Sequence, residues 1–188
     1  MRKVLQLLSI VVVGIAVALM LISPELVLIF GSPKYREAVY VIPPVAASVF
    51  FIFIYNILSM PQFYYEKTQF LMAASMAAAG ANVVLNFIFI RLFGYIAAGY
   101  TTLACYMLYS VGHYIVSKRI LVNEGIQENL MSPGFLVACS VFLIGASIIC
   151  NLIFPYRILR YAILLASAGL VFWKKELLQK TMADIRKK

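Results

Sequence analysis

Six long apolar stretches, separated by short segments that hold nearly all the charge, constrain this chain more than any other feature. They cover residues 4–22, 38–58, 70–90, 95–117, 135–154 and 158–173. A helix crosses a bilayer core with ~20 apolar residues, about 17 to 25 being usual, and the first five stretches reach that length directly. The sixth reaches it if Arg157 and Arg160 snorkel, keeping their stems in the apolar layer while the charged heads meet water. With 64% hydrophobic and 12% charged residues, the chain has too little polar surface to cover the core of a soluble globule. The expected fold is all-α: a polytopic membrane protein with six transmembrane helices in residues 1–173 and a basic cytoplasmic tail at 174–188.

Basic residues in short flanking segments are retained on the cytoplasmic side of a membrane. Six crossings place Arg2, Lys3, Lys67, Lys118, Arg119 and the six tail residues Lys174, Lys175, Lys180, Arg186, Lys187 and Lys188 together, eleven in all. Lys34, Arg36, Arg91, Arg157 and Arg160, five in all, lie opposite, so both termini are expected in the cytoplasm. The net charge of +9 reads as a topology signal with some attraction to anionic lipid. It forms no basic stripe of the kind that binds nucleic acid.

The N-terminus has parts of an export signal: basic Arg2 and Lys3, an apolar run, and small residues at Ala16 and Ala18. The run continues past them to Ile22 and through "ELVLIF", which suits a retained span. Cys105, Cys139 and Cys150 fall inside the stretches and read as small buried residues without metal-ligand spacing. "SPELVLIF" at 23–30 allows two readings: a first helix kinked at Pro24, or a new interfacial helix capped by Ser23 and ending at Gly31. Pro43 and Pro44 fit the first turn of a helix, a kink deeper in the membrane being the alternative. Tyr35, Tyr40, Tyr64, Tyr65, Tyr95, Tyr156 and Trp173 gather toward interfaces as an aromatic belt. The tail, with Leu177, Leu178, Met182 and Ile185 among its basic residues, reads as an amphipathic surface helix.

The third stretch is unusual because its first half is nearly all small residues. Ala74, Ala78, Asn82 and Asn86 lie on one row at helical spacing, and Ala97, Thr101 and Cys105 form a similar row on the next stretch. Small side chains let two helices approach closely and Asn bonds across the contact; the competing reading places Asn82 or Asn86, Asn86 preferred, against a polar solute in a cavity. Ionisable groups deep in a span are costly and mark function, and the chain has few. Glu25 and Arg91 lie toward outer helix ends, Arg91 reading as a helix-end residue or an anion contact. His113 lies about one turn from the cytoplasmic end of its span, an interfacial residue before a coupling proton carrier. One His, no acidic pair within a span, no metal-ligand cluster, no nucleophile elbow and no phosphate loop argue against an enzyme and imply no cofactor.

Three segments carry a family resemblance: "SPELVLIFGSPKYREAVYVI" at 23–42, "YYEKTQ" at 64–69 and "GANVVLNFIFIRLFGYIAAGYTTL" at 80–103, with paired Asn residues and a glycine turn at Gly94. In order and spacing they resemble the C-terminal half of bacterial polysaccharide flippases, lipid-linked oligosaccharide exporters related to multidrug MATE transporters. The resemblance covers about half of the chain, residues 23–117. It implies one six-helix lobe of a two-lobe transporter that works by alternating access in the cytoplasmic membrane. The cargo would be an oligosaccharide on polyprenyl pyrophosphate, and the partner a missing N-terminal lobe or a second copy, since such transporters bind at the interface between repeats. Family cavities are often cationic, whereas this chain has only Arg91 near the Asn row. A drug or small-solute exporter lobe and a non-transporting membrane assembly subunit are the alternatives.

Overall fold

The computed structural model describes residues 2–31, 33–126 and 130–173. The expectation of an amphipathic tail helix at 174–188 lies outside them. The order is α1 (Arg2–Phe30), a 3-10 segment (Pro33–Tyr40), α2 (Ile42–Tyr64), α3 (Gln69–Phe93), α4 (Ala97–Asn123), α5 (Pro133–Ile153) and α6 (Arg157–Trp173). Among the described residues there is no strand. Four helices, α1, α2, α3 and α5, are long and apolar enough to cross a membrane. Of the other two, α4 is diluted by its Tyr, Thr, Ser, Gly and His residues, and α6 has 17 residues.

The centre of the fold is α2, around which α1, α4 and α5 pack, while α3 lies outside against α4 and α6 touches α1 and α5. The core joins Met20 and Leu21 of α1 to Phe50, Ile54 and Leu58 of α2 and Leu143 of α5. Small Ala16, Ala46 and Ala47 are buried there too, which allows close helix approach. Outward positions stay apolar: Ile10 and Ile15 on α1, Val83 and Phe87 on α3, and Val141 and Leu152 on α5 are all exposed. A soluble fold does not leave so much large apolar surface uncovered.

The boundaries refine the sequence reading. The second helix begins at Ile42, not at residue 38, because Pro43 and Pro44 have no amide N–H and fit a first turn, whose donors have no helical acceptor. Gly99 of α4 approaches the same turn so closely that a Cβ there would stand 2.8 Å from Pro44 Cγ and 2.9 Å from the Val41 carbonyl oxygen. The fourth helix runs on to Asn123, so His113 lies ten residues, about 15 Å, before its end.

Two helix ends use the same device. At the end of α4, Gly125 takes φ 78°, its N–H bonds the Val122 carbonyl, and the Ile126 N–H bonds the Leu121 carbonyl at 2.8 Å. At the end of α2, Glu66 takes φ 56°, its N–H bonds Phe63, and the Lys67 N–H bonds Gln62 at 2.8 Å. Both are Schellman turns, the second with a glutamate where glycine is usual. Lys67 and Glu124 join the two turns across 3.5 Å.

The first helix continues through Pro24 to Phe30, which settles the two readings of that segment in favour of a single helix. Ser23 is not an N-cap. Proline removes the N–H that would bond the carbonyl of residue 20, and the Ser23 hydroxyl donates to that Met20 carbonyl at 2.7 Å instead.

Candidate functional site

Two groups of polar side chains join helices within the body, one at the Pro24 segment of α1 and one between α2, α3 and α4. In the first, Arg160 of α6 reaches Glu25. Its Nη1 donates to Glu25 Oε2 at 2.8 Å and to the Leu21 carbonyl at 2.9 Å, and Nη2 donates to Glu25 Oε1 at 2.9 Å. The Tyr161 hydroxyl donates to Glu25 Oε1 at 2.9 Å. Arg160 is 3% exposed, so it does not snorkel, whereas Arg157 is exposed. Glu25 is accordingly a structural ion-pair partner and not a free interfacial carboxylate. Its position explains the Arg160 fork, because a planar guanidinium matches both carboxylate oxygens at once.

The second group grows from helical periodicity. Tyr55 and Gln62 stand seven residues apart on α2, and Thr102, Tyr106, Tyr109 and His113 follow one face of α4 at spacings of three and four. The row Ala74, Ala78, Asn82 and Asn86 is the half-buried stripe of α3 that faces α4, while α3 has no fully buried residue. Where the three helices meet they leave a cleft of about 450 Å³ lined by Tyr55, Ser75, Asn82, Thr102, Tyr106 and Tyr109 together with small and apolar residues that include Cys105. Tyr55 stacks parallel to Tyr106 with centroids 6.3 Å apart and lies 4.7 Å from Tyr109. Ser75 donates to the Leu71 carbonyl and lies 2.6 Å from the Tyr109 hydroxyl, which is therefore the donor in that second bond.

The two asparagines have different work. Asn86 Nδ2 donates to Asn82 Oδ1 at 2.9 Å, and Thr101 Oγ1 donates to Asn86 Oδ1 at 2.5 Å. Asn86 thus belongs to the α3–α4 contact, contrary to the preference for it as the cavity residue; Asn82 lines the cleft, and Asn86 positions it. The reason is register: residue 86 falls opposite Thr101, whereas residue 82 falls where the α4 side chains draw apart around the cleft. Arg91 is exposed in the last turn of α3 with its guanidinium 3.8 Å over the Phe87 ring, so the structure does not bring it to the cleft.

His113 is fully buried within the protein. Gln62, equally buried, donates from Nε2 to His113 Nδ1 at 2.8 Å, a pairing that puts the ring hydrogen of neutral histidine on Nε2. Tyr109, Phe70 and Tyr55 surround the imidazole, with ring centroids at 4.4, 5.5 and 5.8 Å. Sequence reasoning missed Tyr55, Tyr106, Tyr109, Gln62, Ser75 and Arg160. The signal for the aromatic group was present: three aromatic or imidazole side chains at residues 106, 109 and 113 share one face of α4.

The arrangement offers hydroxyl and amide hydrogen bonds between aromatic faces, and among the described residues no charged side chain lines the cleft. It suits a neutral polar ligand with apolar ring faces. Among the described residues no group of three or more His, Cys, Asp or Glu side chains is placed to hold a metal ion. The class defined so far is an all-helical protein with four helices of membrane-spanning length and apolarity. Comparison of the chain with family models, with curated proteins and with solved structures gives no match.

Proposed function

We propose that this chain is one lobe of a transporter that moves lipid-linked oligosaccharide across the cytoplasmic membrane by alternating access, working opposite a second six-helix lobe or a second copy. The observation that carries this reading is the cleft between α2, α3 and α4, where Asn82, Ser75, Thr102 and three tyrosines meet within a body whose outer surface is apolar. A sugar headgroup cannot enter hydrocarbon without losing the water partners of its hydroxyls. Amide and hydroxyl groups replace those partners, and tyrosine faces cover the apolar faces of sugar rings, while a polyprenyl tail stays in lipid. The resemblance of residues 23–117 to polysaccharide flippases points the same way. Six crossings with both termini in the cytoplasm belong to this reading, with α4 and α6 crossing beside the four more apolar helices. The uncharged cleft favours contact with sugar over contact with pyrophosphate.

The test uses the chain in vesicles with a fluorescent polyprenyl-diphosphate disaccharide. A photoreactive residue at position 82 is expected to crosslink to the sugar, with free disaccharide competing, and the chain alone is expected not to flip the lipid. Absence of crosslinking at residue 82 together with crosslinking from the outward-facing Phe87 would remove the cleft from the pathway. Flipping by a monomer would overturn the lobe assignment.

A further inference from the structure

We propose that His113 and Gln62 form a proton-binding site buried between α2 and α4, and that its occupancy is linked to that of the adjoining cleft through the rings of Tyr109 and Tyr55. The linkage rests on the transport reading; the proton site does not. Gln62 and His113 are both fully buried and joined at 2.8 Å, so neither is solvated when the bond changes.

The bond as it stands has Nδ1 as acceptor. Two buried polar atoms of the pair, Gln62 Oε1 and His113 Nε2, have no partner among the described residues. Proton uptake at Nδ1 turns that acceptor into a donor. The amide of Gln62 then rotates by about half a turn, so that Oε1 accepts the new N–H and Nε2 takes the place Oε1 held. The contact given up is weak, since Gln62 Nε2 lies 3.4 Å from the Leu58 carbonyl. One proton is bound, no covalent bond breaks, and the hydrogen-bonded pair survives with its direction reversed.

The surroundings fit a cation that comes and goes. Three aromatic rings from three helices enclose the imidazole with centroids within 5.8 Å, those of Tyr109 and Phe70 nearly perpendicular to it. The titratable groups in ring contact are Tyr55 from α2 and Tyr109 from α4; α3 contributes the uncharged Phe70. Lys67 and Glu124, at the ends of α2 and α4, pair with each other, and Lys118 and Arg119 of α4 are exposed. Among the described residues no carboxylate in ion-pair contact holds the ring permanently charged. One turn further along α4, Ser117 is 1% exposed and its hydroxyl has no partner, which extends the polar track toward the end of the helix.

The same rings carry the link to the cleft. Tyr109 has its ring against His113 and its hydroxyl on Ser75 in the cleft wall, and Tyr55 touches His113 and lines the cleft. An occupant that takes the Tyr109 hydroxyl from Ser75 moves a ring packed on the imidazole. The converse follows from linkage, because two ligands that bias one element bias each other equally.

His113 is the only histidine in the chain, so ¹⁵N-histidine labelling of the whole protein in lipid nanodiscs reports this ring alone. Between about pH 8.5 and about pH 5 the spectrum is expected to pass from the Nε2–H tautomer to a ring protonated on both nitrogens. Gln62→Met removes the rotating acceptor, and its ring is expected to stay neutral over the same range. In case that variant does not fold, Gln62→Glu offers an oxygen without rotation, and both nitrogens are expected to be protonated throughout. A wild-type ring that stays neutral to pH 5, or titrates unchanged in either variant, overturns the proton site. The link is tested with a small maleimide on Asn82→Cys after Cys105, Cys139 and Cys150 are replaced by Ala. The midpoint is expected to move by half a pH unit or more on labelling, and an unmoved midpoint overturns the link while leaving the proton site standing. Failure of sugar crosslinking with a normal titration would count against the transport reading alone.

Discussion

Removing Glu25 should cost more than removing any apolar side chain of α6. Arg160 is 3% exposed and donates to two carboxylate oxygens, at 2.8 and 2.9 Å, so Glu25→Ala leaves a buried guanidinium with only the Leu21 carbonyl as acceptor. Stranding one member of a buried pair costs about 3 to 5 kcal/mol. The opposite deletion is milder, because the Glu25 side chain is 22% exposed and water can solvate the carboxylate beside the Tyr161 hydroxyl. Arg160→Ala should therefore cost about 2 to 3 kcal/mol, including the Leu21 carbonyl that loses its Arg160 bond. Glu25→Gln keeps one acceptor oxygen and should fall between wild type and Glu25→Ala. The double variant Glu25→Leu with Arg160→Met has no stranded charge and should lie within about 1 kcal/mol of wild type, far from the sum of the single changes. Unfolding in mixed micelles by a denaturing detergent measures this, with Glu25→Leu and Arg160→Met as the single variants of the double-mutant cycle. Single variants within about 0.5 kcal/mol of wild type, or an additive double variant, would refute the account of α6 as fastened to α1 chiefly by this pair.

The remaining predictions use the same assay except the last. Glu66→Gly should stabilise by about 1 kcal/mol, since a left-handed residue other than glycine costs ~1–2 kcal/mol and Glu66 has φ 56°. Gly99→Ala should destabilise by about 1 to 3 kcal/mol, because the new Cβ would meet Pro44 and the Val41 backbone at under 3 Å. Ser23→Ala should cost about 1 kcal/mol, and Pro24→Ala added to it should recover part of that loss by restoring a backbone donor to the Met20 carbonyl. Single cysteines at Lys34 and Lys118, in a chain without the native cysteines, should be labelled by an impermeant reagent from opposite sides of the membrane; labelling from one side would overturn six crossings.

The helices were legible from sequence because each is set by local chemistry. A run of apolar residues cannot leave backbone polar groups unpaired away from water, so it becomes helical wherever it lies, and six apolar stretches correspond to α1 through α6. Prolines 43 and 44 and glycine 94 mark ends through their own backbone limits. The small-residue stripe of α3 and its Asn row were likewise legible as a contact face, since spacing by four repeats along one side of a helix. What spacing along one helix cannot state is which side chain of another helix stands opposite. That Thr101 meets Asn86 and leaves Asn82 to the cleft depends on the register of α3 against α4. That Arg160 meets Glu25 across 135 residues, or Gln62 meets His113 across 51, depends on helix order around α2. An isolated arginine or histidine near the end of an apolar stretch is cheapest at the interface, which is where sequence reasoning put both. Only the packed structure supplies the partners that permit burial: the Glu25 carboxylate of α1 for Arg160, and an amide within an aromatic enclosure for His113.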